Sequence, residues 1–332
     1  MNMAGKDGGS ADNHTKPLIT KLGTITCDLV EATPVVWRDK LYRYEYVRPA
    51  RVYKPNTTGD TYFRFIDVES GQPSPGFAAG YHLGCAHVEG ERLFAFGSNA
   101  SGGDEIRVFR SDDMEHWDSR TALHLPGWTL FNTSVCASPA GYTMAFEVGG
   151  PPELVGERFT IFFAQSPDLL AWEVLPPQDH AYTKERYSAC PAIRYLDGYY
   201  YMIYLEAIPP VERITYELYI ARSPDLVEWE PSPHNPLLAR DEDDRKLYPG
   251  AAFTEQEKER IGTALNINNS DFDFCEFEGR TVMTYSWGCQ GYHQTGPDSW
   301  GYIPGRECTG EYLAGAAYDG PPAQFLKGWF PE

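Results

Sequence analysis

The stretch Arg222–Trp229, RSPDLVEW, decides the fold, because two close variants of it occur earlier in the chain. The variants are Gln165–Trp172 (QSPDLLAW) and Arg110–Trp117 (RSDDMEHW), and the three tryptophans lie 55 and 57 residues apart. Each copy follows a strand-like alternation of residues and leads into another short strand. Ser and Asp side chains close tight turns by hydrogen bonding to nearby backbone N–H groups, and a Trp can cover the hairpin. The repeat therefore predicts the same turn in three similar units.

A hairpin pattern occurs five times, and three of its copies precede the repeat. In one copy the apolar run Ala192–Tyr195 and the aromatic run Tyr199–Leu205 flank the turn Asp197-Gly198, which suits a two-residue hairpin. The other four turns fall at Arg38–Lys40, Glu89–Glu91, Pro139–Gly141 and Glu278-Gly279. Five hairpins in units of about 55 residues predict an all-β fold, a five-bladed β-propeller with four-stranded antiparallel blades around a central channel.

The repeats also predict the domain organisation. We expect a flexible N-terminal tail over 1–23 and one propeller domain over 24–332. Its blades are predicted at 24–77, 78–125, 126–180, 181–240 and 260–330. The charged stretch Asp241–Lys258 has no strand periodicity and is predicted to be an inserted loop with a short helix. The stretch Cys289–Glu311, rich in Gly and aromatic residues, is predicted to be a flap over a pocket, since long loops in compact domains are usually functional.

Composition excludes several classes of partner. Lys and Arg number 28 against 47 Asp and Glu, a net charge of −19, which argues against nucleic acid and against an anionic membrane surface. No apolar run is long enough to span a membrane, and the N-terminus lacks the apolar segment of a secretory signal, so we expect a cytoplasmic protein. The seven cysteines show no CxxC spacing and are predicted to be free thiols.

The S-P-D-L-x-x-W element, joined to hairpins such as Pro191–Leu205, resembles the five-bladed propeller glycoside hydrolases, namely glycoside hydrolase families 43, 32, 62 and 130. The resemblance extends over roughly residues 24–330. It implies an active-site pocket at one end of the central channel, with acidic residues near the start of the innermost strands. It also implies a cation, such as Ca²⁺, or a water held in the channel by a His. We expect no resident cofactor, and the Ca²⁺ alternative stays open.

The chain departs from the family-43 pattern of Asp before Pro in the first blade, Asp in the second and Glu in the third. Thr33 stands before Pro34, and Glu31 lies two residues earlier. The second blade offers a His, the third begins at Asn132, and the fourth has Cys190 before a proline. The individual family is therefore left open.

Hydrolysis of a glycosidic bond needs two carboxyl groups, one acting as acid and the other as base or nucleophile. Asp271 and Asp273 share one strand face in a polar cluster that precedes a hairpin. Glu206 and Glu147 each end an aromatic strand. We predict Glu206 or Glu147 as the acid and Asp271 or Glu31 as the base. The alternatives are a turn cap at Asp271 and structural ion pairs with arginines at the glutamates.

Eight further residues are predicted to contact a sugar, because they lie near the expected channel mouth or offer a ring for stacking: His82, His87, Asn132, Arg186, Tyr187, Asp273, Trp287 and Trp300. No metal ligand is assigned among them.

Four functions compete. The first is an exo-acting glycoside hydrolase that removes a terminal sugar, a furanoside among the candidates, from small carbohydrates. The second is a glycoside phosphorylase, which would hold phosphate with basic groups such as Arg186, Arg194 and Lys184. The third is a sugar-binding propeller without catalysis, and the fourth is a protein-interaction propeller. The sequence leaves the sugar, the linkage and the oligomeric state undetermined.

Overall fold

The structure is a computed structural model, and it describes residues 16–48, 61–157, 159–207, 215–289 and 310–331. The described part is mostly β. Its strands are β1 Thr20–Cys27, β2 Ala32–Trp37, β3 Lys40–Val47, β4 Tyr62–Asp67, β5 His82–Glu89, β6 Arg92–Ser98, β7 Glu105–Ser111, β8 Asp118–His124, β9 Thr129–Ser138, β10 Gly141–Gly150, β11 Thr160–Ser166, β12 Glu173–Val174, β13 Ala181–Tyr182, β14 Ser188–Leu196, β15 Tyr199–Ala207, β16 Tyr216–Ser223, β17 Glu230–Pro231, β18 Asn268–Phe277, β19 Arg280–Gly288 and β20 Glu311–Tyr318. Its helices are α1 Pro152–Val155, a 3-10 helix Glu242–Arg245, α2 Glu255–Thr263 and α3 Pro322–Gly328. None of the described helices is long and apolar enough to cross a membrane.

The strands form antiparallel groups that follow the chain. The groups are β2-β3-β4, β5-β6-β7-β8, β9-β10-β11-β12 with β13 beside β11, β14-β15-β16-β17, and β18-β19-β20 with β1. One parallel bridge, between Tyr216 and Asn268, joins the last two groups into an eight-stranded sheet. The groups match the predicted hairpins and their order along the chain.

The first strand of each group packs beside the first strands of other groups. We call β2, β5, β9, β14 and β18 the ring strands. β5 contacts β2 and β9, β14 contacts β9 and β18, and β18 contacts β2, so the ring strands close a cycle. The apolar core lies between neighbouring groups, as where Phe96 of β6 and Phe146 of β10 share one cluster. This packing holds the beginnings of the ring strands together at one end of the molecule.

The repeated Ser-x-Asp-x-x-x-Trp element forms the turn that the sequence predicts. In the second copy the Asp168 carboxylate accepts hydrogen bonds from the backbone N–H groups of Leu170 and Ala171 at 2.9 and 3.0 Å. Trp172 Nε1 donates to the Leu169 carbonyl oxygen at 3.0 Å. Leu169 adopts a positive φ of 67°, and the matching residues of the other copies have nearly the same angle. The repeat is therefore structural.

The N-terminal strand differs from the prediction of a tail over 1–23. β1 begins at Thr20 and pairs with β20 from Thr20 opposite Ala317 to Cys27 opposite Tyr312. The last group has three strands of its own, and β1 covers the edge that β20 would otherwise expose. The beginning and the end of the chain therefore complete one sheet, which no local pattern indicates.

The insertion and the cysteines also differ from expectation. The predicted loop over Asp241–Lys258 contains the 3-10 helix, but α2 continues to Thr263. Thr254 and Glu257 form a capping box that fixes where α2 begins. Cys289 is disulfide-bonded, so the prediction of free thiols is wrong at this residue. Among the residues that the structure describes, Cys85, Cys136, Cys190 and Cys275 are free thiols.

Candidate active site

Bulges near the start of four ring strands shape one end of the ring. In β5, β14 and β18 two residues oppose one on the partner strand, and the first of the two is Leu83, Cys190 or Asp271. These three residues have positive φ angles of 56°, 50° and 48°. In β9 the register shift lies opposite Glu147. A bulge bends its strand and changes the direction of its side chains, and bulges often lie next to active sites.

A small cavity of about 30 Å³ lies where these bulges meet, a space for one or two water molecules. Each ring strand or its preceding residue contributes to the wall: Glu31, Gly84, Asn132, Cys190 and Asp271. Two buried oxygens in the wall, Glu31 Oε2 and Asn132 Oδ1, have no hydrogen-bond partner in the described part of the chain. Buried polar atoms are normally paired, so these oxygens favour a bound polar ligand or water here.

Glu147 lies beside this cavity and is 4% exposed. Its Oε2 accepts hydrogen bonds from the Cys190 backbone N–H at 2.9 Å and from Asn132 Nδ2 at 3.2 Å. Burial raises the pKa of Glu147 to about 7, although these two donors lower it. A carboxyl group that titrates near neutral pH is suited to general acid catalysis.

Glu31 and Asp271 form an acidic pair on the cavity wall. Burial raises the pKa of both carboxyl groups, and the charge of Asp271 raises the pKa of Glu31 further. Ser270 Oγ donates to Asp271 Oδ2 at 2.6 Å, and this contact lowers the pKa of the carboxyl group against the effect of burial. Because donors stabilise the ionised form, we assign the negative charge of the pair to Asp271 and the proton to Glu31.

Arg48 and Glu311 complete the cluster, and the sequence analysis did not find either. Arg48 Nη2 lies 2.7 Å from Glu311 Oε2, and both side chains are largely buried. The positive charge of Arg48 lowers the pKa of Glu31 and of Asp271, against the effect of burial. Arg48 follows β3 and Glu311 begins β20, far apart in sequence. The one available signal was an acid at the start of the last strand, after a Gly-rich segment.

Several predicted site residues lie elsewhere. Glu206 forms an ion pair with Arg186 at 3.0 Å and does not line the cavity. An ion pair with an arginine is the alternative to a catalytic role that the sequence left open for Glu206. His82 is 1% exposed, and its Nδ1 lies 2.6 Å from the hydroxyl of Tyr46. Trp287 is fully buried and stacks on Tyr312, so it offers no surface to a sugar.

His87 faces the other end of the ring. It lines a cavity of about 350 Å³ formed by the later residues of the ring strands and by α3. Asp273 lines the small acidic cavity and forms an ion pair with Arg194, which lines the larger cavity. Burial and the charge of Arg194 lower the pKa of His87 to about 4, so its ring is neutral at pH 7. His87 therefore does not join the carboxyl cluster.

The remaining predicted site features are Tyr187, Trp300 and the flap. Tyr187 stacks on Tyr216 with ring centroids 5.4 Å apart. Burial raises the pKa of both phenols, and the charge of Glu147 raises it further. Tyr187 directly precedes β14, the ring strand that carries Cys190. Trp300 and residues 290–309 of the predicted flap lie outside the described residues.

A His-held cation does not fit the residues that the structure describes. No group of three or more His, Cys, Asp or Glu among them is arranged to hold a metal ion. His82 is engaged with Tyr46, and His87 lines the larger cavity. We therefore derive no chemical step from a metal.

Comparison with known proteins identifies the fold. No protein-family model matches the chain, and no curated protein matches it. A thermostable family-43 glycoside hydrolase is 10% identical, with a TM-score of 0.57 over 89% of this chain and 91% of that chain. Another solved glycoside hydrolase is 14% identical, with a TM-score of 0.57 over 91% and 92%. A mutant of the Bombyx mori family-32 β-fructofuranosidase BmSUC1, in complex with sucrose, is 12% identical, with a TM-score of 0.51 over 88% and 61%.

The chain thus has the fold of the propeller glycoside hydrolases, which confirms the resemblance that the sequence indicates. Identities of 10–14% establish the fold alone, and no individual family is assigned.

Proposed function

We propose that the protein is a glycoside hydrolase that removes a terminal sugar from small oligosaccharides or glycosides. One observation carries the proposal: the buried carboxyl groups of Glu31, Glu147 and Asp271, all with raised pKa, converge where the ring strands begin. Perturbed carboxyl groups at one end of a ring of strands are typical of an active site. The ring strands and their groups support the five-bladed propeller as the architecture.

Glu147 is the proposed general acid. Its two N–H donors fix the orientation of the carboxyl group, and a pKa of about 7 leaves a large protonated fraction at neutral pH. In the reaction Glu147 gives its proton to the glycosidic oxygen as the bond to the anomeric carbon breaks. This step makes the leaving group a neutral alcohol.

Asp271 is the proposed base or nucleophile. Ser270 donates a hydrogen bond that favours its ionised form, and the protonated Glu31 beside it avoids a second negative charge. Asp271 would either accept a proton from the attacking water or attack the anomeric carbon itself. Glu31, whose Oε2 has no partner among the described residues, is left to bind a sugar hydroxyl or this water.

The phosphorylase alternative gains no support from the described residues. Phosphate needs basic groups in the pocket. Among the described residues of the small cavity wall there is no Lys or Arg, and the arginines Arg48, Arg186 and Arg194 are each paired with a carboxylate. Exo action, a furanoside substrate and a cytoplasmic location stay predictions from the sequence.

The test is a screen of aryl pyranosides and furanosides with wild type, Glu147→Gln and Asp271→Asn. We expect hydrolysis of one glycoside and a loss of kcat of about 10²–10⁴-fold in each variant. For Glu147→Gln the loss should be large with phenyl glycosides and small with dinitrophenyl glycosides, because dinitrophenolate leaves without protonation. Near-UV circular dichroism checks that each variant is folded.

Glu206→Gln tests the competing acid. If the loss of activity in Glu206→Gln is large with phenyl glycosides and small with dinitrophenyl glycosides, while Glu147→Gln loses both activities equally, the assignment of Glu147 is overturned. Turnover that requires phosphate would establish the phosphorylase instead. Binding of a sugar without turnover of any glycoside would establish the non-catalytic propeller.

A further inference from the structure

The larger cavity, which His87 lines, is separate from the carboxyl groups. All five ring strands contribute to its wall, and their apolar residues there include Val35, Ala86, Val135, Leu196 and Phe274. On every ring strand these residues come later than those that line the small acidic cavity. Three residues of a strand span about 10 Å, so the two cavities lie at different depths of the ring. The volume of about 350 Å³ is within the range of small-molecule sites.

The helix α3 forms part of the wall and is fixed by the apolar core. Ala323 and Leu326 of this helix line the cavity. Phe325 is fully buried and meets Trp329 edge-on, with ring centroids 6.2 Å apart. Ser232 Oγ donates a hydrogen bond to the carbonyl oxygen of Trp329 at 2.6 Å. The wall is therefore packed in place, as expected of a preformed binding site.

The buried titratable groups in the wall carry no unbalanced charge. Burial and the charge of Arg194 lower the pKa of His87 to about 4, so its ring is neutral at pH 7. Burial raises the pKa of the Cys136 and Cys275 thiols to about 12, so both keep their protons. Arg194 is charged, but it forms an ion pair with Asp273. Because burial of an unpaired charge is costly, the cavity favours an uncharged ligand.

His87 offers a hydrogen bond to such a ligand. Its Nε2 is buried and has no hydrogen-bond partner among the residues that the structure describes. Glu89 Oε2 lies 3.7 Å away, beyond hydrogen-bond distance. The imidazole ring packs edge-on against Tyr142, with ring centroids 5.7 Å apart, and this contact orients it. Buried polar atoms are normally paired, and a hydroxyl group, which both donates and accepts, matches either tautomer of His87.

We propose that the larger cavity is a second binding site, which takes a small uncharged molecule with an apolar body and a hydroxyl group. The hydroxyl group pairs with His87 Nε2, and the apolar body lies against the ring strands and α3. Among the described residues of the wall, Glu276 is the one with a carboxyl group, and it is exposed to solvent. The site thus lacks the pair of carboxyl groups that hydrolysis needs, and it binds its ligand without reaction. This inference does not depend on the proposed glycosidase function.

The test uses three matched probes on the full chain. p-Cresol has a hydroxyl group, toluene lacks it, and p-toluate carries a charged carboxylate instead. Isothermal titration calorimetry measures the Kd of each probe. We expect p-cresol to bind at one site and toluene to bind about 2- to 10-fold more weakly, the range for one hydrogen bond between uncharged groups. p-Toluate should bind more weakly than either.

Two variants locate the site. His87→Phe keeps an aromatic ring but removes the hydrogen bond, so p-cresol should lose its advantage over toluene. Ala323→Trp fills the cavity from α3, so both probes should lose their binding. The matched controls are His116→Phe, at a side chain that is 84% exposed, and Gln324→Trp, at an exposed position of α3 that does not line the cavity. Both controls should bind the probes as wild type does.

Four results would overturn the proposal. Equal affinities of wild type for p-cresol and toluene would remove the role of the hydroxyl group, and tighter binding of p-toluate would indicate an anion site at Arg194. Unchanged binding of p-cresol by His87→Phe or by Ala323→Trp would place the probe elsewhere. No binding of any probe at millimolar concentration would show that the cavity takes water only. His87 and Ala323 lie on different elements, so either variant that near-UV circular dichroism shows to be folded is sufficient for the test.

Discussion

At the scale of single residues, buried carboxyl groups define the candidate site of this protein. Glu147 is almost fully buried, and its donors do not compensate for the water it has lost, so its pKa rises from 4.5 to about 7. Glu31 and Asp271 share one wall, and only one of them is assigned a charge at neutral pH. The same burial that raises the pKa of these groups makes their ionised forms costly for stability.

The pH dependence of stability tests this cost at Glu147. In the unfolded chain Glu147 ionises near pH 4.5, but in the folded protein it keeps its proton until about pH 7. The stability that it contributes is therefore fully present below pH 4.5 and is lost as the pH rises through 7. Glu147→Gln should remove about 3 kcal/mol of this change, at ~1.36 kcal/mol for each unit of pKa.

Urea unfolding of wild type and Glu147→Gln at pH 4.5 and pH 8 measures the effect. The matched control is Glu91→Gln, whose side chain is 81% exposed. If wild type and Glu147→Gln lose the same stability between these pH values, Glu147 is not a buried acid of raised pKa.

At the scale of the strand, the bulges decide which side chains meet. Gly84 follows Leu83 in the β5 bulge and has a φ of 105°. A Cβ at this position would lie 1.9 Å from the carbonyl oxygen of Phe96. Gly84→Ala should therefore destabilise the protein by about 2–4 kcal/mol, from strain and from displacement of the β6 backbone. Comparison of the midpoints of urea unfolding of Gly84→Ala and wild type measures this loss.

Gly262→Ala provides the contrast at the same scale. Gly262 lies in α2, where a Cβ would meet nothing within 4 Å. The added methyl group should stabilise the protein by about 0.5–1 kcal/mol, since Ala has the higher helix propensity. A loss of stability similar to that of Gly84→Ala would contradict the argument from close approach.

At the scale of the whole molecule, a buried ion pair joins the first strand to the last sheet. Lys21 of β1 lies 2.7 Å from Asp244 of the 3-10 helix, and the two side chains are 4% and 0% exposed. Asp244 also accepts a hydrogen bond from Tyr285 of β19 at 2.8 Å. The pair thus fastens β1, the insertion and the sheet that β1 completes.

Lys21→Met should cost about 3–5 kcal/mol, because it leaves Asp244 buried without its cation. Lys40→Met is the control: Lys40 is 57% exposed and lies 3.5 Å from Asp67, so its loss should cost less than about 1 kcal/mol. Both values come from urea unfolding. Equal costs would show that the ion pair does not hold β1.

The sequence by itself determined the strand-rich repeat architecture, because hairpin turns and the Ser-x-Asp-x-x-x-Trp turn depend on neighbouring residues alone. It also identified Glu31, Glu147 and Asp271 among the candidates, because acids within apolar strands are conspicuous. Only the tertiary structure distinguished the surroundings of the two glutamates, since Glu147 is buried beside the small cavity and Glu206 forms an ion pair with Arg186. Only the tertiary structure brought Arg48, Cys190 and Glu311 to the carboxyl groups and placed β1 beside β20. These contacts join residues distant in the chain, and bulges that no local pattern specifies fix their register.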